Sequence, residues 1–62
     1  MFYKVWRWNW GWYHTTFATL EQAEYNYVQE KQLAKMAIRP MPYVTDQKGN
    51  KIEFEWEKDN ES

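Results

Sequence analysis

A chain of 62 residues without cysteine has neither disulfides nor a thiolate-bound zinc to hold it together, and one of this size buries only about 60% of the surface its unfolded form exposes. Five Trp, five Tyr and three Phe take over the work of a larger aliphatic core, since each buried ring removes roughly 150–250 Å² from water. The net charge of −1 excludes the strongly basic footprint of a duplex-DNA binder, and the lack of any long apolar run excludes a membrane span and a secretion signal, so a soluble cytoplasmic protein is expected.

Charge is nevertheless uneven along the chain. The first 18 residues carry Lys4 and Arg7 and no acid, whereas the last dozen carry Glu53, Glu55, Glu57, Asp59 and Glu61 against Lys51 and Lys58.

Phe2 to Trp8 is dense in aromatic and β-branched residues and predicts a strand. Asn9-Trp10-Gly11 supplies turn residues, with Gly11 free to take positive φ, and Trp12 to Phe17 predicts a second strand closing a hairpin. Within this stretch tryptophan occupies every second position: Trp6, Trp8, Trp10 and Trp12. Thr19-Leu20-Glu21-Gln22 forms a capping box, in which hydroxyl and amide satisfy exposed backbone donors. The stripe Leu20, Ala23, Tyr27, Val28 and Ala34 then predicts a helix over 20–35, which must end before Arg39 because Pro40 forces its predecessor toward extended geometry.

Pro40 and Pro42 cannot donate to a ladder, so the third strand starts late or lies at an edge. Val44-Thr45 leads into Asp46-Gln47-Lys48-Gly49, which suits a type I turn with a left-handed glycine. Lys51 to Glu57 alternates without a break and predicts a fourth strand, with Ile52, Phe54 and Trp56 facing inward and Glu53, Glu55 and Glu57 outward. The fold class expected is therefore α+β, ββαββ: a four-stranded sheet of two hairpins with one helix on one face. The alternative is βαββ with a long first strand. One domain would span 1–57, and 58–62 would be a frayed polar tail. The element order resembles the immunoglobulin-binding domains of streptococcal protein G, and Met1-Phe2-Tyr3-Lys4-Val5 is similar to their first strand. The likeness covers element order and those few residues and carries no binding residue across.

Catalysis lacks its usual members. Ser62 is the only serine and His14 the only histidine, and two glycines cannot build a phosphate-cradling loop. The glutamates of the fourth strand stand ~6.7 Å apart, a spacing similar to paired catalytic carboxylates, but so small a chain offers little concavity. No enzyme, cofactor or metal is expected.

Binding is the remaining class. One helix covers one sheet face, and the parity of the first strand decides which rings it leaves in water. If Tyr3, Val5 and Arg7 face the helix, then Trp6 and Trp8 lie outside. A partner-binding surface of Trp6, Trp8, Arg7 and Lys4, rimmed by Glu53, Glu55 and Glu57, would suit another protein, with the chain as an inhibitor or adaptor of the kind viruses and mobile elements encode. Stacking of single-stranded nucleic acid on the same aromatics is a second possibility, opposed by the net charge and by glutamates on that face. Closure of a homodimer by the aromatic face is a third.

Overall fold

A computed structural model describes residues 1–60, with side chains described for 1–57. The chain runs β1 (Tyr3–Trp8), β2 (Trp12–Phe17), α1 (Leu20–Ala37), β3 (Tyr43–Asp46), β4 (Lys51–Ile52) and α2 (Glu55–Asn60). The strands form one antiparallel sheet in the order β2-β1-β3-β4, with α1 packed across one face, so the ββαββ order and the α+β class hold.

Register fixes which residues share a face. Val5 sits opposite Thr15 on β2 and Val44 on β3, and Val44 opposite Ile52 on β4. These positions look toward α1, where Val5, Ala23, Tyr27, Val44 and Phe54 form the buried core with Tyr3, Phe17, Ile52 and Trp56 packed around it. Val5 is wholly buried, which settles the parity of β1: Tyr3, Val5 and Arg7 face the helix, and Lys4, Trp6 and Trp8 face away.

α1 begins as the capping box requires, with Thr19 Oγ1 accepting from the Gln22 backbone N–H at 3.2 Å. It runs two residues past the expected 35 and ends on Ile38, which takes a left-handed φ of 53° while the Ile38 and Arg39 N–H groups both donate to the Ala34 carbonyl. Such a bond pattern closes the last turn before Pro40 stops the helix. The turn after β3 also follows expectation. Gly49 holds φ 89°, and the Asp46 carboxylate accepts from the Lys48 and Asn50 backbone N–H groups at 2.8 and 2.9 Å.

The fourth strand is where the structure departs from the sequence pattern. It ends at Ile52, and Glu55–Asn60 is helical, so the predicted strand to Glu57 is corrected to a two-residue strand followed by a short helix. The cause lies in its partner. β4 pairs only with Val44 and Thr45; continuing it would bring Phe54 opposite Pro42, which has no N–H to offer. The chain instead leaves the sheet toward α1. Phe54 and Trp56 still face the core, Phe54 from the segment before α2 and Trp56 from α2, stacked on each other at 5.7 Å and, for Phe54, on Tyr27 at 5.5 Å. Residues 58–60, read from the sequence as part of a frayed tail, continue α2, and residues 61 and 62 lie outside the described residues.

α2 is clamped to α1 by polar contacts. Trp56 Nε1 donates to Glu24 at 2.6 Å, and Glu57 Oε2 accepts from the Tyr27 hydroxyl at 2.5 Å and from Lys31 at 2.7 Å. Lys31 also lies 5.4 Å from the Trp56 ring centroid, a cation–π contact. Partial burial pushes the Glu57 carboxyl up, but the hydrogen bonds from Lys31 and Tyr27 and the nearby lysine charges outweigh it and hold it below its ordinary 4.5. Asp46 is likewise held below 3.8, chiefly by the Asn50 backbone N–H.

A carboxyl whose folded pKa is depressed contributes stability that is fully present above its unfolded pKa and is lost as pH falls through the lowered value. Urea midpoints should therefore stay level down to about pH 5 and fall below about 4.5. Glu57→Gln should lower the neutral-pH midpoint and make the acid decline shallower. An unchanged acid slope in that variant would refute the clamp.

Candidate binding face

The face of the sheet turned away from both helices is built from alternate positions of every strand. β1 contributes Lys4, Trp6 and Trp8; their partners on β2 are Thr16, His14 and Trp12. β3 contributes Tyr43 and Thr45, opposite Trp6 and Lys4, and β4 contributes Lys51, opposite Thr45. Every strand position on this face is aromatic, a hydroxyl, an imidazole or a lysine, and none is a carboxylate.

The rings form a connected array. Trp6 stands at its centre, 4.6 Å from His14 and nearly parallel to Tyr43 at 6.0 Å. Its Nε1 donates to Thr45 Oγ1 at 2.8 Å, which satisfies a hydroxyl that is itself buried. Trp12 meets Trp8 edge to face at 5.6 Å and Tyr43 at 5.3 Å. These are the offset and T-shaped arrangements that the ring quadrupole favours. Trp6 and Trp8 are consequently half-buried by their neighbours, and together they expose less than two free indoles would. The accessible indole surface lies on Trp12, 43% exposed, and on Trp10, 90% exposed at the tip of the hairpin.

Trp10 also carries backbone strain. It takes φ 62°, in the left-handed region, while its neighbour Gly11, the residue expected there, sits at 158°. The loop closes through the Asn9 N–H donating to the Gly11 carbonyl at 2.9 Å. A left-handed residue with a Cβ costs roughly 1–2 kcal/mol. Nothing in the burial of Trp10 offsets that.

Of the residues singled out from the sequence, the structure brings Lys4, Trp6 and Trp8 together and leaves the others apart. Arg7 faces α1, where its guanidinium donates to Thr15 Oγ1 at 2.6 Å. The acidic row does not exist as a row: Glu53 follows the end of β4, Glu55 opens α2 in solvent, and Glu57 is bonded to Tyr27 and Lys31 on the helix side. The rim of Glu53, Glu55 and Glu57 expected beside the tryptophans is corrected accordingly, and with it the carboxylate spacing drawn from an extended strand.

The chain matches no family model, no curated protein and no solved structure.

Trp12, Tyr43, His14 and Lys51 are the members of the face that sequence reasoning missed, and Trp10 extends from the loop beside it. For Trp12 and His14 a signal existed. A hairpin centred on Trp10 pairs positions that sum to 20, so Trp12 and His14 must share a face with Trp8 and Trp6. For Tyr43 and Lys51 there was none, because the register of β3 on β1 is set by contacts distant in sequence. Among the described residues no three His, Cys, Asp or Glu side chains lie close enough to hold a metal, and no helix is long and apolar enough to cross a membrane.

Proposed function

We propose that the chain is a small, non-catalytic binding module that works in the cytoplasm as an inhibitor or adaptor. It would present the aromatic side of its hairpin to another protein, with Trp10 and Trp12 as the leading contacts, Trp6, Trp8 and Tyr43 as a rigid floor, and Lys4 and Lys51 at the margin. The single observation that carries this reading is Trp10, a large apolar ring nine-tenths exposed on a left-handed backbone. Strain of this kind is kept where a function needs it, and indole is among the residues that contribute most at interface centres. The lysines on this face favour a partner whose own margin is acidic.

Trp10→Gly tests the reading directly, because it relieves the backbone and leaves the floor intact. Affinity capture by the wild type and the variant, read by quantitative mass spectrometry, should recover a partner that the variant loses by tenfold or more, since a hot-spot indole is worth ~2 kcal/mol or above. Equal recovery by both would remove Trp10 from the site.

The cation-only margin of the face gives a second reading, single-stranded nucleic acid stacked on the same rings. Fluorescence titration with oligonucleotides at low salt distinguishes it: quenching that weakens as salt rises supports stacking with phosphate contacts. No quenching rejects it.

A further inference from the structure

The two edges of the sheet are built differently. The β4 edge has two residues, is preceded across the turn by a strand that starts after two prolines, and ends where the chain turns away into α2. These are common ways of keeping an edge from pairing. The β2 edge has none of them: six residues, Trp12 to Phe17, with no proline, lysine or acid and, among the described residues, no strand beyond them. Its outward backbone groups are open to another strand.

Beside that edge, on the helix side, lies a shallow groove of about 490 Å³ lined by Phe17, Glu21, Gln22, Tyr25 and Asn26. The Tyr25 ring on the groove is 70% exposed. Phe17 belongs to both the edge and the groove, so the two occupy the same flank of the molecule.

We propose that two copies of this chain pair antiparallel along β2, about a two-fold axis through Thr15, with Tyr13 of each copy laid against Phe17 at the edge of the other's groove. Antiparallel partners share a face, so the register must pair residues of like parity. A register centred on Thr15 sets Tyr13 against Phe17 of the second copy, His14 against Thr16, and Thr15 against Thr15. Aromatic–aromatic and Thr–Thr are favourable cross-strand pairs, and no like charges meet. The alternative centred on His14 would oppose two imidazoles and place Trp12 against a threonine. Tyr13 suits its role: it is 55% exposed, its ring rests on Gly11, where no side chain fixes it, and its partner Arg7 puts it on the helix side of the sheet. α1 packs chiefly over β1, which leaves that side of β2 accessible.

The resulting eight-stranded sheet would carry both helices on one side and one continuous aromatic face on the other. This dimer uses the edge and leaves the tryptophan face free, so it stands or falls independently of the binding role proposed above.

Sedimentation equilibrium over a range of concentrations tests it. The wild type should show a reversible monomer–dimer equilibrium. Tyr13→Ala should weaken it on the order of tenfold, from two lost aromatic pairs with Phe17 per dimer. Tyr13→Lys, with an unchanged circular dichroism spectrum, should weaken it on the order of a hundredfold or more by setting a charge against Phe17 of the second copy. A wild-type protein monomeric at millimolar concentration overturns the proposal, as does a dimer that withstands Tyr13→Lys or that dissociates on Trp12→Ala instead. Should Tyr13→Lys fail to fold, hydrogen exchange of the wild type decides: amides of residues 13–17 should gain protection as concentration rises, and constant protection overturns the pairing.

Discussion

Tyr27→Ala is expected to remove about 3–5 kcal/mol of stability, the cost of deleting a large ring from a packed core. At roughly 0.05–0.15 kcal/mol per residue, a domain of this size has only about 3–9 kcal/mol in total. The variant should therefore be close to or beyond unfolding at 25 °C. Tyr27 has this weight because it links three parts of the molecule. Its ring is stacked on Phe54, it belongs to the cluster that includes Val5 and Val44 of the sheet, and its hydroxyl donates to Glu57 in α2. Tyr27→Phe isolates the last contribution. It keeps the ring, leaves Glu57 its bond to Lys31, and should cost only about 1 kcal/mol. Urea denaturation of the two variants checks both figures. A Tyr27→Ala protein with a midpoint near the wild type would mean that the aromatic cluster does not hold α2 to the sheet.

Trp6→Ala and Trp10→Gly should move stability in opposite directions. Trp6 stacks with His14 and Tyr43 and is the donor to the buried Thr45 hydroxyl, so its loss removes ring contacts and leaves that hydroxyl without its donor. Because the indole is half-buried, the expected cost is about 2–4 kcal/mol, below that of a fully buried ring. Trp10→Gly relieves a left-handed backbone and removes a ring that is nine-tenths exposed, against the entropy that glycine adds to the unfolded chain. A gain of up to about 1 kcal/mol follows. Thermal or urea unfolding measures both. If Trp10→Gly destabilises as much as Trp6→Ala, the hairpin tip is structural, and the case for it as a contact surface is lost. The opposing signs separate the tryptophans of this chain into those that build the platform and the one that extends from it.

Both outcomes bear on why a sequence so rich in rings folds without exposing all of them. One helix by itself has too little apolar surface to cover thirteen aromatic side chains. The structure meets the shortage in two ways. The chain after β4 adds Phe54, just before α2, and Trp56, within it, to the helix-side core. On the opposite face, Trp6, Trp8, Trp12 and Tyr43 shield one another by cross-strand packing, which needs no second layer.

Local signals in the amino-acid sequence were enough for the hairpin around Asn9-Trp10-Gly11, the Thr19 cap, the stop before Pro40 and the Asp46–Gly49 turn, because each depends on contacts within a few residues. The inward direction of Ile52, Phe54 and Trp56 was legible for the same reason. Tertiary structure decided the rest. The parity of β1 waited on which side α1 buried Val5, and the length of β4 on whether β3 could offer it a donor beyond Tyr43. An alternating pattern states which side chains seek the core, but a strand extends only as far as its neighbour has backbone groups to pair with. Pro42 ended that supply, and the glutamates that looked like the rim of a binding face became instead the start of a helix and its clamp.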